Sequence, residues 1–370
     1  MKFTNKNIEN LKSYVVSSPK AWNFKNKSEV LKLDWNESTI KPSPKVFESI
    51  IDSMKNKQWN WYPNINNTDL IDAIASYCKV KNSQIQFFAS SDVLHEYIVR
   101  CFVSESDRIL VVSPTYDNFR AVAEANNGKI QNYPLDSEFK LNLDKLDNDL
   151  KLIKPKIMYL VNPNNPTGTE HDTDKLKKLI SNNVDVLFIV DEAYFEFNNK
   201  TISQITCDYD NLIISRTFSK AFGLASFRIG YCIANESIIE QLNKIRNPKN
   251  VSLFAQEAAL AALKDIKHVN SYVKEVNMSK NIFFNFLSEK NWIKPYDGSG
   301  NFIFMEVHQN LKNHLISFLE SKKVFVRDYG HIKRTINHIR ITVGTKKQTQ
   351  KVMSLIDSFE SQQKSNYSLN

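Results

Sequence analysis

Short apolar runs punctuate the middle of the chain at Ile109–Val112, Ile157–Val161, Val186–Val190, Leu212–Ile214 and Ile229–Ile233. Each is three to five residues of mostly Val, Ile, Leu or aromatic side chains, and several stop at Ser, Asn or Asp. A strand covered on both faces has no polar side, so it reads as an unbroken apolar run and not as an alternation. Amphipathic stretches suited to helices lie between the runs, for example Tyr116–Asn127 and Asp172–Ser181. This alternation of strand and helix predicts a doubly wound α/β domain with a parallel sheet. From about residue 255 the rhythm changes. One long helix is expected over Ala255–Leu287, then a strand at Asn301–Val307 and a helix at Leu311–Leu319. Strands at Val324–Val326 and Ile339–Val343 and a last helix at Lys347–Gln362 complete a smaller α+β domain. The expected division is a segment 1–45 joining the small domain, a large domain 46–255 and the small domain 256–370. Residues Gln363–Asn370 are expected to fray.

Composition narrows the class. A chain of 370 residues has room for two domains. No apolar run approaches the roughly 20 residues that cross a bilayer. Met1–Tyr14 is polar with both signs of charge, unlike a secretory signal, so a cytoplasmic protein without membrane contact is expected. The net charge is +9, but 49 basic and 40 acidic residues are interspersed. The largest clusters, Lys175–Lys178 and Lys322–Lys323, read as solvated helix faces. Nucleic acid is therefore not an expected partner. Cys78, Cys101, Cys207 and Cys232 are widely spaced with no CxxC pair, which suits free thiols and not a disulfide frame or a metal site.

Ligands of a parallel sheet collect beyond the carboxyl ends of its strands, so the polar residues after each run matter most. Ile157–Val161 is followed by Asn162-Pro-Asn-Asn-Pro-Thr-Gly168, and Val186–Val190 by Asp191-Glu-Ala-Tyr194. Leu212–Ile214 is followed by Ser215-Arg-Thr-Phe-Ser-Lys220-Ala-Phe-Gly223, with Arg228 just before the next run. Singly these have ordinary explanations, as a turn, a helix cap and a chance Ser-Lys pair.

Taken jointly and in this order, they resemble fold type I pyridoxal-phosphate (PLP) aminotransferases, the aspartate aminotransferase superfamily, and most of all the histidinol-phosphate aminotransferases. The resemblance runs from Leu33-Asp-Trp-Asn-Glu37 to Arg340-Ile-Thr-Val-Gly344. It implies a mostly parallel seven-stranded sheet between helices, a smaller α+β domain, bound pyridoxal 5'-phosphate and a homodimer with both sites at the interface. By the same resemblance Lys220 holds the cofactor as a Schiff base, Asp191 faces its ring nitrogen, and Tyr194 and Asn165 reach its ring oxygen. Ser91, Asp92, Thr217, Ser219 and Arg228 match the residues around its phosphate, the first two at an expected helix start before Val93. Tyr116 matches the aromatic that stacks on the ring, and Tyr62 the tyrosine that reaches the neighbouring subunit's cofactor. Tyr14, Asn36, Arg327 and Arg340 match substrate-binding positions.

The pattern also departs from the family. Ser90-Ser91-Asp92-Val93 lacks the usual leading glycine and trailing carboxylate, Ser38 replaces an asparagine, and Trp61 precedes Tyr62-Pro63 where arginine is common. Lys249 stands where an aromatic from the partner subunit is usual, and Ser226 replaces a glycine. The expected activity is transfer of an amino group between glutamate/2-oxoglutarate and a small phosphorylated amine or carbonyl compound, histidinol phosphate being the first candidate. Decarboxylation of an amino-acid phosphate on the same cofactor is the alternative.

Overall fold

The computed structural model describes residues 3–14 and 20–367. Twelve strands lie among them. They are β1 (Leu31–Leu33), β2 (Ile85–Phe88), β3 (Arg108–Ser113), β4 (Lys129–Pro134), β5 (Ile157–Val161) and β6 (Leu187–Asp191). The remaining six are β7 (Leu212–Thr217), β8 (Gly230–Ala234), β9 (Ile293–Tyr296), β10 (Phe302–Val307), β11 (Val324–Asp328) and β12 (His338–Thr342). Seven form one sheet in the order β2-β8-β7-β6-β5-β3-β4, in which only β8 opposes its neighbours. The other five form a sheet ordered β1-β11-β12-β10-β9. There β1 runs parallel to β11, so the N-terminal residues join the C-terminal sheet.

The five runs are strands for the reason their composition suggests. Along β5, Ile157, Tyr159 and Val161 pack into one buried layer while Met158 and Leu160 pack into the opposite one. Both faces are covered by helices, so no position is left for a polar side chain. The strand ends differ slightly from the expected ones: β6 begins one residue later and β7 continues to Thr217. Asp191 and Thr217 are therefore last residues of their strands.

Four strands escaped the hydrophobic pattern. β4 is an edge strand with mostly exposed or half-exposed residues, so it carries no apolar run. β2 is buried but interrupted by Gln86, whose amide donates to Asn243 Oδ1 at 2.8 Å. β1 is three residues long. β9 contains Pro295, tolerated because this strand lies at the sheet edge.

The expected helix Ala255–Leu287 is two helices, Leu253–Leu263 and Ile266–Ser288. The break falls at Asp265, which leaves helical geometry (φ −124°, ψ 47°) while its carboxylate accepts a 2.5 Å hydrogen bond from Ser43 Oγ. The helix Tyr116–Asn127 is shorter than expected, Asn118–Ala125. Instead of fraying from Gln363, the last helix continues from Lys346 to Tyr367, and residues 368–370 lie outside the described part. Among the described residues no helix is long and apolar enough to cross a membrane, and the four cysteines are free thiols.

Candidate active site

The carboxyl ends of β5, β6 and β7 open into a cavity of about 630 Å³, closed on its other side by β11, β12 and residues 34–38. Thirteen sequence-predicted residues line it: Tyr14, Ser91, Asp92, Tyr116, Asn165, Asp191, Tyr194, Thr217, Ser219, Lys220, Arg228, Arg327 and Arg340.

Lys220 follows β7 by three residues, and its Nζ donates to the Trp35 carbonyl at 2.9 Å. Withdrawal of the amine from water lowers its pKa to about 8, against an ordinary 10.5. Asp191 ends β6, with its carboxylate buried. Oδ1 accepts from the Ala193 amide and Oδ2 from the Tyr159 hydroxyl, both at 3.0 Å. Burial raises the pKa of this carboxyl, while nearby His95 and the two hydrogen bonds oppose that rise. Glu192, beside it, points elsewhere and holds the buried Arg216 through Oε2 at 2.8 Å.

The opposite wall comes from the five-stranded sheet. Arg340 on β12 pairs in register with Arg327 on β11. The Arg340 guanidinium donates to Asn165 Oδ1 at 2.5 Å, Tyr329 Oη at 2.9 Å and the Asp34 carbonyl at 2.6 Å. Its Nε has no hydrogen-bond partner among the described residues. Asn36 sits just behind the cavity wall. Its amide donates to Tyr194 Oη at 3.0 Å and its Oδ1 accepts from Thr342 Oγ1 at 3.0 Å. Tyr14 meets the Tyr116 ring edge-on at 5.7 Å, and burial raises its hydroxyl pKa to about 12.

A helix N-terminus faces the third side. The helix Ser91–Phe102 is capped by Ser90, one residue before the expected start, so Ser91 and Asp92 lie in its first turn. Ser90 adopts φ +100°, a conformation that favours glycine. It occupies the position where the family's motif carries glycine, and its Oγ accepts from the Val93 amide at 3.2 Å. Gly230 lets the chain close here, because a Cβ at that position would lie 2.7 Å from the Ser91 nitrogen. The hydroxyls of Thr217 and Ser219 bond each other at 2.9 Å beside this terminus. Asp92 accepts from Tyr116 Oη at 2.8 Å and from Arg228 Nη2 at 3.2 Å.

Tyr62 does not join the cavity. It is 75% exposed on an outer face with Trp59, Trp61 and Phe254, and Lys249 Nζ lies 4.4 Å from its ring. Sequence reasoning missed Tyr329, Tyr159, His95 and the Trp35 carbonyl. Tyr329 had a signal, since it lies two residues beyond Arg327 and so shares its side of the extended chain. His95 lies one helical turn beyond Ser91 and Asp92. A backbone carbonyl has none.

Two arginines, a lysine amine with its pKa lowered to about 8 and a buried carboxylate meet on one cavity, a set that suits chemistry on an anionic substrate. Residues 28–356 match the family model for aminotransferase class I and II. The chain is 42% identical over 363 residues to a dihydroxyacetone phosphate transaminase of Campylobacter jejuni, spanning 97% of this chain and 98% of that one. It is 35% identical to a histidinol-phosphate aminotransferase of Methanococcoides burtonii, over 88% of this chain and 89% of that one. In structure it is similar to a histidinol-phosphate aminotransferase of Sinorhizobium meliloti crystallised with pyridoxal-5'-phosphate. The TM-score there is 0.86, with 22% identity over 98% of each chain.

Proposed function

The chain belongs to the aminotransferase class I and II family, and we propose that it moves an amino group between glutamate/2-oxoglutarate and a small phosphorylated carbonyl compound, with pyridoxal 5'-phosphate as cofactor. The observation that carries this reading is the meeting of Lys220, Asp191 and Arg340 on one cavity. Pyridoxal phosphate, when bound, supplies an electron sink for the substrate carbon. Lys220 holds it covalently and, once free, moves the proton at the reacting carbon. Asp191 pairs with the ring nitrogen, and Tyr194 and Asn165 with the ring oxygen. Ser91, Thr217 and Ser219 offer hydroxyls and helix N–H groups to the cofactor phosphate, with Arg228 beside them. Tyr116 flanks the ring. Arg340 and Arg327, with Tyr14 and Asn36, bind the anionic ends of the substrates.

This reading also takes residues 46–255 as the large cofactor-binding domain and 256–370 with 1–45 as the small one. A second copy of the chain covers the exposed apolar face of Phe47, Ile51, Met54, Trp59, Trp61 and Ile65, bringing Tyr62 to the partner's site. A cytoplasmic enzyme is consistent with four free thiols.

Dihydroxyacetone phosphate is the first acceptor to test with glutamate, because the relative at 42% identity is a transaminase for it. Imidazole acetol phosphate is the second. We expect 2-oxoglutarate to form with one of them, and the unphosphorylated ketone to be poorer by about 10- to 100-fold in kcat/KM, the worth of a lost charged hydrogen bond. Release of CO₂ from an amino-acid phosphate, with no oxo acid required, would overturn the transaminase reading in favour of decarboxylation.

Cofactor capture gives a second measurement. An amine attacks an aldehyde only when neutral, and Lys220 loses its proton near pH 8. Apoenzyme should therefore take up pyridoxal phosphate faster as pH rises through about 8. A rate flat between about pH 7 and 9 would show that the buried amine is not the attacking group.

A further inference from the structure

His95 lies beside Asp191 without lining the cavity. It is fully buried, and neither ring nitrogen has a hydrogen-bond partner among the described residues. Burying such a group without a partner is costly. The ring is nevertheless held in one orientation, edge-on to Phe119 at 5.7 Å and to Tyr159 at 5.5 Å, and those two rings stack at 4.2 Å. In that orientation Nε2 faces Asp191 Oδ2 at 3.8 Å. Oδ2 already accepts from Tyr159, and a carboxylate oxygen has a second lone pair to offer. A shift of well under 1 Å brings Nε2 within hydrogen-bond range.

Resting on the cofactor reading above, we propose that His95 is a positioning residue that donates from Nε2 to Asp191, fixing the carboxylate and keeping it ionised against the cofactor ring nitrogen. The two donors then act together: Tyr159 comes from β5, and His95 from the helix whose first turn faces the cofactor phosphate. One short helix thereby orients both ends of the cofactor site. The other titratable groups around this carboxylate are Asp92, Tyr116 and Tyr194. Among the described residues none of them donates to Oδ2: Tyr116 donates to Asp92, and Tyr194 accepts from Asn36.

The test is a pH titration of the cofactor's visible absorbance in the holoenzyme. Without the donor, the ionised carboxylate is less stable and draws the ring-nitrogen proton onto itself, so the ring withdraws less from the attached lysine nitrogen. His95→Phe should therefore raise the titration midpoint by about one pH unit, the size expected for one hydrogen bond to a charged group. His95→Gln, which keeps a donor at similar reach, should return most of that shift. A wild-type midpoint in a folded His95→Phe holoenzyme would overturn the proposal. Should that variant fail to fold, ¹⁵N shifts of the wild-type holoenzyme decide, with the resonance assigned by its loss in His95→Gln. A proton-bearing Nε2 supports the role, and an unprotonated Nε2 overturns it. A folded wild-type protein that does not bind pyridoxal phosphate would instead refute the cofactor reading, and this proposal with it.

Discussion

Replacing Lys220 with alanine is expected to lower turnover by roughly 10³-fold or more while leaving the protein folded. Among the described residues the side chain makes one hydrogen bond, from Nζ to the Trp35 carbonyl at 2.9 Å. Losing it costs about 0.5–1.5 kcal/mol, small beside a typical stability of 5–15 kcal/mol. The chemical loss is larger because nothing nearby substitutes. The Tyr194 ring centroid lies 5.8 Å from Nζ, and burial raises the pKa of its hydroxyl, which makes it a poor base. Arg340 carries a charge it does not give up. Asp191 is occupied by the Ala193 amide and the Tyr159 hydroxyl. Two readouts separate the roles of the amine. Borohydride reduction followed by mass measurement reports covalent attachment of the cofactor and should find none in Lys220→Ala. Non-covalent binding should persist through the helix terminus at Ser91 and the hydroxyls of Thr217 and Ser219. A variant with wild-type turnover would overturn the assignment of this cavity to pyridoxal phosphate chemistry.

What could be read from the sequence divides along a physical line. β5, β6 and β7 were visible because each is covered on both faces, and a strand without a polar side advertises itself in three to five apolar residues. The runs stopped one residue short of Asp191 and three short of Thr217; they showed where to look, and the roles of Asp191, Thr217 and Lys220 came from the resemblance to family motifs. β4 was invisible because an edge strand alternates weakly, and β2 because Gln86 satisfies its amide on Asn243, far along the chain. The break at Asp265 depends on Ser43, 222 residues away, so helical periodicity ran straight through it. Within the site, side chains carried by family motifs were found. The Trp35 carbonyl under Lys220 was not, since every residue has a carbonyl and only the fold selects one. His95 was overlooked because a histidine one turn into a helix ordinarily packs as core, and only the three-dimensional approach of Nε2 to Asp191 distinguishes it. Tyr62 shows the opposite case, where the motif was plain but a single chain leaves it on an outer face.

Asp191→Asn is the second substitution with a large expected effect, and it tests charge apart from shape. Asparagine has nearly the same volume, and its oxygen still accepts from the Ala193 amide while its NH₂ donates to Tyr159 Oη. The bonds to the Ala193 amide and to Tyr159 are therefore kept, while the donation proposed from His95 loses its acceptor, and the variant should fold and attach the cofactor through Lys220. What it loses is negative charge. In the native protein burial works against that charge, and His95, Tyr159 and the Ala193 amide act to retain it. In the proposed cofactor site the ionised form is the one that pairs with a protonated ring nitrogen, a role that a neutral amide cannot fill. Removing one partner of a buried charge pair costs about 3–5 kcal/mol, which corresponds to a fall in kcat of about 10²- to 10⁴-fold. The glutamate KM should change far less, since Arg340 and Arg327 on the opposite wall are untouched. Asp191→Glu restores the charge but moves it by about one C–C bond length, so its kcat should lie between the two. If Asp191→Asn retained wild-type kcat, charge on the ring nitrogen would be irrelevant to this enzyme, and the buried carboxylate would have to be explained as part of the packing around Tyr159.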